Sequence, residues 1–523
     1  MAVSALANLI VFLQELAVML GTPFNIVLLF GSVTLGIFFG AAPGLTATLG
    51  VALLTTLTYR MSTEVAILAL LGMYVGAIYG GSYSSILINI PGTAAAAATA
   101  MDGYPLACQG KAGKALGITT TSSFIGTLVG LIFVAALTPL ICRMALNFTS
   151  FEFFLLAFFG IMISGTLGSK DLAYKGWISG FLGLFLACVG RDQLQFYPRF
   201  TFGIPELEGG IDVVPALIGA FGIPQIIEVL RKEVVPLVFQ EVRRVTPELR
   251  ELLRHLPTAI RSALIGVGIG AIPGVGEDIA AWTSYGVAKS VSRHPERYGR
   301  GEIDGVVASE SANNACIGGA IIPLLSLGIP GSPPAAMLLG ALLLHGVQPG
   351  PMLTIDHPTF IPKVTAALFL SAFGMFVVGM LLVKQVIKLL KIPQVVLMAI
   401  VGVLCVIGSY AIGLRIFNLY LMLPIGLLAY CLTKMDYPIA PLVIGVILGP
   451  MADANLRRAL MVSEGSLLPI FTRPVALVLF LATIFMAVSQ VSWVKSWFRR
   501  LSKKAPLLSG REDYVLAQSS RKE

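Results

Sequence analysis

Four Pro-Gly pairs stand inside apolar stretches of this sequence: Pro43-Gly44, Pro91-Gly92, Pro273-Gly274 and Pro330-Gly331. Each pair is expected to break a helix, because proline offers no backbone N–H and clashes with the preceding turn, while glycine accepts left-handed geometry. In a lipid environment the freed backbone groups must be buried in protein or line a wet cavity. The breaks are therefore predicted to form either a ligand site or packing kinks between helices.

Hydroxyl residues follow three of the breaks, at Thr46, Thr93 and Ser332. A hydroxyl residue suits the N-cap of a helix, and Pro333 suits the first helical position. The free N–H groups and positive dipole at such a half-helix can hold a carboxylate without an arginine or lysine. The residues predicted to bind substrate are Pro43, Gly44, Thr46, Asn89, Pro91, Gly92, Thr93, Gly274, Ser326, Pro330, Gly331 and Ser332.

Acidic and amide residues form two further groups within apolar sequence. Glu277 and Asp278 follow the third break, and Glu310, Asn313 and Asn314 form a polar cluster further on. Ionisable groups at membrane depth are usually functional, and amide oxygens can coordinate a cation, so these five residues are predicted to couple transport to Na⁺ or H⁺. Helix capping by the first group and interhelical hydrogen bonding by the second remain alternatives.

The composition places these residues in a membrane. Hydrophobic residues make up 56% of the 523 residues and charged residues only 12%, about half the share in soluble domains. Apolar stretches long enough to cross a bilayer recur, and we predict an all-α polytopic membrane protein with about 10–12 transmembrane helices. Six scattered cysteines and four histidines form no metal-binding pattern, so no cofactor or metal beyond the coupling ion is expected.

Two motifs occur twice in the same order. The GxxxGxxPG pattern begins at Gly36 and again at Gly266, an offset of 266 − 36 = 230 residues. The stretch that begins at Gly80 and ends in Pro91-Gly92 matches the one from Gly319, an offset of 319 − 80 = 239 residues. Basic residues are concentrated in the segments 231–261, 289–300 and 495–504, which the positive-inside rule places in the cytoplasm. The loop 59–64 has one basic residue and its counterpart 289–300 has four, whereas Lys111 and Lys114 have no basic counterpart in 344–359. Because the charge bias reverses between these equivalent loops, the halves are predicted to be inverted repeats with broken helices.

These patterns divide the chain into five parts. We predict an N-terminal interfacial or partial membrane helix at 1–21, a first transmembrane repeat at 22–227 and a second at 262–491. An amphipathic cytoplasmic linker at 228–261 separates the repeats, and a basic cytoplasmic tail at 492–523 follows the last span. The tail follows a hydrophobic segment directly, so its charge indicates membrane topology and not nucleic-acid binding.

Several longer stretches carry a family resemblance. They include Gly40-Ala-Ala-Pro-Gly-Leu-Thr, Asp102-Gly-Tyr-Pro-Leu-Ala, Tyr298-Gly-Arg-Gly, Glu310-Ser-Ala-Asn-Asn-Ala and Leu327-Gly-Ile-Pro-Gly-Ser. In these stretches the chain resembles the large membrane subunit of the tripartite tricarboxylate transporters, over Gly36 to about Pro474.

The resemblance implies ion-gradient-driven uptake of small carboxylates across the bacterial inner membrane. It implies two partners: a small membrane subunit and a periplasmic solute-binding protein that delivers the substrate. The chain has no GxxxxGK[ST] motif, which agrees with transport that hydrolyses no nucleotide. A channel and a membrane-embedded enzyme remain alternatives, although no nucleophile motif or zinc motif supports the enzyme.

Overall fold

The structure, a computed structural model, describes residues 2–168, 172–192, 194–231, 242, 245, 249–389 and 392–490. The predicted tail at 492–523 lies outside the described residues, as do positions 232–241, 243–244 and 246–248 of the predicted linker at 228–261. The last part of that linker, from residue 249, is the first part of a helix that continues to Gly270.

The described chain is almost entirely helical. Its first helices are α1 Ala2–Gly21, α2 Pro23–Ala41, α3 Ala47–Thr58, α4 Thr63–Ile88, α5 Ala97–Leu106, α6 Ala112–Ala145, α7 Ser150–Gly168, α8 Ala173–Ala187 and α9 Val213–Arg231. Its later helices are α10 Leu249–Gly270, α11 Gly276–Val291, α12 Ile303–Leu327, α13 Pro333–Leu344, α14 Leu353–Asp356, α15 Phe360–Leu381, α16 Val383–Leu389, α17 Gln394–Ala411, α18 Phe417–Lys434, α19 Ile439–Val462, α20 Pro469–Thr472 and α21 Pro474–Ser489.

The prediction of an all-α polytopic membrane protein is confirmed. Among the described residues, 8 helices are long and apolar enough to cross a membrane. Five shorter apolar helices accompany them: Leu9–Gly21 within α1, Ala47–Thr58, Ser150–Thr166 within α7, Pro333–Leu344 and Pro474–Ser489. The predicted 10–12 spans lie between the 8 long helices and the 8 + 5 = 13 long and short apolar helices taken together. Two of the shorter helices, α3 and α13, begin at Pro-Gly breaks.

Backbone contacts repeat at the two offsets found in the sequence. A Cβ added to Gly36 in α2 would lie 2.4 Å from the Met73 carbonyl oxygen in α4. A Cβ added to Gly266 in α10 would lie 2.2 Å from the Ala312 carbonyl oxygen in α12. Since 266 − 36 = 230 and 312 − 73 = 239, the α2–α4 pair and the α10–α12 pair pack alike. The orientation of the two halves in the membrane remains a prediction.

Helices from the two halves also interlock. Gly219 in α9 packs against the Met422 carbonyl oxygen in α18, where an added Cβ would lie 2.3 Å away. In the same way, Gly445 in α19 packs against the Gly180 carbonyl oxygen in α8, at 2.2 Å. Small residues allow this close approach, which favours helix association in a bilayer. Each half therefore contributes a helix to the bundle of the other.

A short hairpin joins α8 to α9. Strands β1 Gly190–Arg191 and β2 Pro198–Arg199 pair antiparallel, with Gly190 opposite Arg199. The Asp192 carboxylate accepts backbone N–H bonds from Gln195, at 2.9 Å, and from Leu194, at 2.7 Å. These bonds, together with the nearby Arg457 and Arg199, lower the pKa of Asp192 below its usual range. The Asp192–Arg457 ion pair attaches this loop to α19.

The close glycine contacts predict a strong difference between two neighbouring positions of α10. In Gly270→Ala the new methyl would lie 2.4 Å from the Cys316 carbonyl oxygen, so α10 and α12 must separate. We expect the free energy of unfolding to fall by about 2 kcal/mol. Gly268→Ala is the matched control, because nothing lies within 4 Å of its new methyl and alanine favours helix. Thermal unfolding in detergent would measure both, and equal melting temperatures would contradict the close packing.

Candidate functional site

The first break of the first half lies between α2 and α3. After α2 ends at Ala41, Gly44 adopts a φ of 96°, and Thr46 takes the N-cap position of α3. The Thr46 hydroxyl oxygen accepts a hydrogen bond from the Leu49 backbone N–H at 3.1 Å. This is the half-helix start that the sequence predicts at Pro43-Gly44. Gly44 itself lies against Val229 of α9.

The second break of the first half lies between α4 and α5. Asn89 ends α4 in the left-handed region, with a φ of 56°. Gly92 then passes so close to the Gly40 carbonyl oxygen that an added Cβ would lie 2.0 Å from it. Thr93 precedes the 3-10 turn Ala94–Ala96, which leads into α5. The Thr93 hydroxyl is buried and has no hydrogen-bond partner among the described residues.

The second half repeats this arrangement. Gly328 ends α12 in the left-handed region, at the place equivalent to Asn89 (328 − 89 = 239). An added Cβ on Gly331 would lie 2.2 Å from the Gly270 carbonyl oxygen, just as Gly92 meets Gly40. Ser332 caps α13, where its hydroxyl oxygen accepts from the Ala335 backbone N–H at 3.4 Å. All four Pro-Gly pairs thus lie at the start of a half-helix or of the turn leading into one.

Glu277 lies where two helices of the second half begin. It belongs to the first turn of α11, is 5% exposed and accepts a hydrogen bond from the Tyr74 hydroxyl of α4. The same Tyr74 hydroxyl is 2.6 Å from the Ser332 hydroxyl at the N-cap of α13. The structure therefore brings together two predicted site residues, Glu277 and Ser332, through a residue of the first half that the sequence reasoning missed.

Glu310 forms a second buried acidic site, in the middle of α12. Its Oε1 accepts from the Ser82 hydroxyl at 2.5 Å and from the Thr99 hydroxyl, and its Oε2 accepts from Ser123 at 2.9 Å. These hydroxyls belong to α4, α5 and α6, so one carboxylate of the second half joins three helices of the first. Among the described residues, no salt bridge is formed by Glu310, which is 0% exposed.

The amide residues predicted beside Glu310 lie one turn further along α12. Asn314 donates from Nδ2 to the Asn313 side-chain oxygen at 2.8 Å, and both side chains are 0% exposed. The Asn314 Oδ1 is buried and has no hydrogen-bond partner among the described residues. A buried amide oxygen beside a carboxylate is a suitable ligand for a hard cation.

Three further predicted residues, Ser326, Asp278 and Gly274, have surroundings of their own. The Ser326 hydroxyl donates to the Ile322 carbonyl oxygen of its own helix at 2.7 Å, so its proton is already used. Asp278 is half-buried in the first turn of α11. Gly274, with a φ of 74°, lies against Ser164 of α7 and Ile444 of α19. The Pro273-Gly274 break therefore contacts other helices than the Pro43-Gly44 break does.

A third buried carboxylate, Asp102 in α5, had no predicted role. Its Oδ1 accepts three backbone N–H bonds, from Gly299 at 2.8 Å, Gly301 at 2.9 Å and Glu302 at 2.8 Å. Its Oδ2 accepts from the Tyr285 hydroxyl at 2.9 Å. Asp102 thus fastens the loop between α11 and α12 to the helix that follows the Pro91-Gly92 break. The two stretches it joins were conspicuous in the sequence only through the family resemblance.

Hydroxyl groups are what the sequence analysis missed. Tyr74, Ser82, Thr99 and Ser123 lie within apolar helices, where such residues usually bond to a carbonyl of their own turn. No spacing rule distinguishes them from the many other hydroxyl residues of the chain. These four hydroxyls reach a carboxylate or an N-cap residue only because α4, α5 and α6 pack against α11, α12 and α13.

Comparison with known proteins gives a consistent picture. The family model described as "Tripartite tricarboxylate transporter TctA family" matches residues 26–444. An uncharacterized 52.8 kDa protein in the TAR-I ttuC' 3' region of Agrobacterium vitis is 36% identical over 457 residues, which cover 87% of this chain and 91% of that protein. An uncharacterized protein in the TAR-II ttuC' 3' region of the same organism is 35% identical over 208 residues, covering 40% and 86%. No solved structure matches.

Proposed function

Because the chain belongs to the tripartite tricarboxylate transporter TctA family, we propose that it carries small carboxylates across the bacterial inner membrane. Family membership, together with the long apolar helices among the described residues, indicates a multi-pass membrane protein and points to a transporter rather than an enzyme. The proposal adds the substrate class, the direction of transport and coupling to an ion gradient. It also adds two partners: a small membrane subunit and a periplasmic solute-binding protein that delivers the substrate.

The observation that carries the proposal is the repeated geometry of the four broken helices. In each half, the second Pro-Gly turn packs against the C-terminal end of the helix that precedes the first break, with Gly92 at the Gly40 carbonyl of α2 and Gly331 at the Gly270 carbonyl of α10. Helix N-termini offer free N–H groups and a positive dipole end to a carboxylate. Discontinuous helices at equivalent places in two halves are typical of a secondary transporter's substrate site.

The site proposed for the coupling ion is the Glu310 cluster. A carboxylate at membrane depth that forms no described salt bridge needs a proton or a bound cation to compensate its charge. The hydroxyl oxygens of Ser82, Thr99 and Ser123 and the Asn314 amide oxygen are ligands suited to Na⁺. Coupling requires that the ion increase the affinity for substrate, and by linkage substrate increases the affinity for the ion by the same factor.

Uptake into proteoliposomes tests this function. The vesicles would contain the chain and its small membrane partner, with the binding protein outside, and the labelled probes would be citrate, succinate, malate and tartrate. We expect at least one probe to accumulate only with the binding protein and an inward Na⁺ or H⁺ gradient.

Two outcomes would contradict the proposal. Flux that is independent of both gradients and of the binding protein would indicate a channel. If an intact, correctly folded complex accumulates none of the carboxylate probes, the proposal that its substrates are small carboxylates is contradicted.

A further inference from the structure

The residues at the Pro-Gly breaks are more exposed in the first half than in the second half. In the first half, Pro43, Gly44 and Thr46 are half-buried, and Ala94 after Thr93 is exposed. The equivalent positions of the second half, Pro273, Gly274 and Gly276, are buried. Ile90 is 38% exposed, whereas its counterpart Ile329 (329 − 90 = 239) is 0% exposed and packs against α7 and α19. The described residues therefore enclose the first-half breaks less completely than the second-half breaks.

The second-half helix starts also already hold a negative group. A Cβ added to Gly276, where α11 begins, would lie 3.8 Å from Pro333 Cδ, where α13 begins, so the two positive dipole ends are neighbours. The Glu277 carboxylate is placed there, bonded to Tyr74 and facing the Ser332 hydroxyl. A carboxylate at this place stabilises both helix ends. The equivalent residue of the first half is Ala47 (277 − 47 = 230), which supplies no charge.

A buried hydroxyl at the first-half breaks has no partner in the described part of the chain. The hydroxyl of Ser332 is engaged by Tyr74 at 2.6 Å. Its counterpart Thr93 (332 − 93 = 239) is 8% exposed, and the Thr93 hydroxyl has no partner among the described residues. The residue equivalent to Tyr74 is Asn313 (313 − 74 = 239), whose side-chain oxygen is taken by Asn314. A buried hydroxyl without a partner destabilises the protein, and a bound acceptor would remove this cost.

We propose that Glu277 is a built-in carboxylate that occupies the anion position of the second half, and that the substrate carboxylate binds at the first-half breaks, where it accepts a hydrogen bond from Thr93. The halves are thus similar in backbone but unequal in chemistry. Only the second part of this inference rests on the proposed function, because the place of Glu277 can be tested without transport.

Chemical rescue tests the role of Glu277. The Glu277→Gly variant lacks a side chain of the size and charge of one propionate ion. Without this carboxylate, the starts of α11 and α13 lose their negative charge, and the Tyr74 and Ser332 hydroxyls lose their acceptor. We expect purified Glu277→Gly to unfold at a lower temperature than wild type, and sodium propionate to raise its melting temperature. Neutral propionamide, and sodium chloride at equal ionic strength, should not do so.

Controls make the rescue specific. Glu277→Gln fills the same space without a vacancy, so propionate should stabilise this variant no more than it stabilises the wild type. If propionate stabilises Glu277→Gly no more than it stabilises wild type, the second-half anion position is refuted. Should the glycine variant fail to fold, Glu277→Ala with acetate repeats the test with a smaller cavity.

A matched pair of variants tests the substrate half of the inference. Thr93→Val removes the free hydroxyl at constant shape, and Ser332→Ala removes the engaged one. With whichever carboxylate the uptake panel identifies, we expect Thr93→Val to raise KM about tenfold, and Thr93→Ser to restore it. Ser332→Ala should lower the melting temperature and change KM by less than Thr93→Val does. An equal or larger KM effect of Ser332→Ala would overturn the assignment, even where transport itself is confirmed.

Discussion

Replacing Asp102 by alanine is expected to lower the free energy of unfolding by roughly 3–6 kcal/mol, the largest stability effect predicted for a single residue of this protein. The carboxylate accepts three backbone N–H bonds from Gly299, Gly301 and Glu302, and alanine would leave all three donors without an acceptor. A donor that faces the buried Asp102 position costs about 1–3 kcal/mol when it is left unpaired and shielded from water. The Tyr285 hydroxyl would lose its acceptor as well.

Thermal and chemical unfolding in detergent would measure this effect. Asp102→Asn keeps one acceptor oxygen for the loop and should lose less stability than Asp102→Ala. Asp356→Ala, at an exposed position of α14, is the control for loss of a carboxylate alone. A loss below about 1 kcal/mol in Asp102→Ala would mean that water replaces the carboxylate and that the loop is not fastened by it.

The local features of the breaks could be predicted from sequence because their causes are local. A Pro-Gly pair prevents a continuous helix wherever it stands, and a hydroxyl after it can bond the backbone three residues on, as Thr46 does with Leu49. The repeated glycines of α2 and α10 likewise have one purpose, close backbone approach, which their spacing already suggests. Membrane character follows from composition alone.

The contacts between halves could not be predicted, because residues far apart in sequence make them. Tyr74 and Glu277 are 203 positions apart, and Ser82 and Glu310 are 228 apart. A motif match treats Thr93 and Ser332 as equal, yet one hydroxyl is free and the other engaged. The motif match alone therefore cannot tell which of the two hydroxyls has a partner, because tertiary packing decides it.

Glu277 and Glu310 belong to the same half but have different surroundings, which indicates that the two carboxylates have different roles. Glu277 lies at two helix N-termini, where a permanent negative charge is favourable. Glu310 lies in the middle of α12, away from any helix end, and its described partners are hydroxyls. A charge there lacks a fixed compensating dipole, so it is better suited to a ligand that binds and leaves during the cycle.

Neutralising Glu310 by the Glu310→Gln substitution is expected to abolish gradient-driven accumulation, lowering initial uptake by about 100-fold, while substrate exchange continues. Glutamine keeps the shape and one acceptor oxygen for the hydroxyls of Ser82 and Thr99, so the helices that meet at this residue should remain packed. Without the negative charge, binding of substrate no longer depends on the ion, and the coupling free energy of about 1–3 kcal/mol is lost.

Accumulation and counterflow in the same proteoliposomes separate the two activities. Glu296→Gln, at a side chain that is 64% exposed, is the matched control and should behave as wild type. Retained counterflow without dependence on Na⁺ or pH identifies Glu310 as the coupling group, and the gradient whose effect disappears identifies the ion. Accumulation equal to wild type would show that the charge of Glu310 takes no part in coupling. Loss of counterflow together with a lower melting temperature would show that the carboxylate serves to hold α4, α5 and α6 against α12.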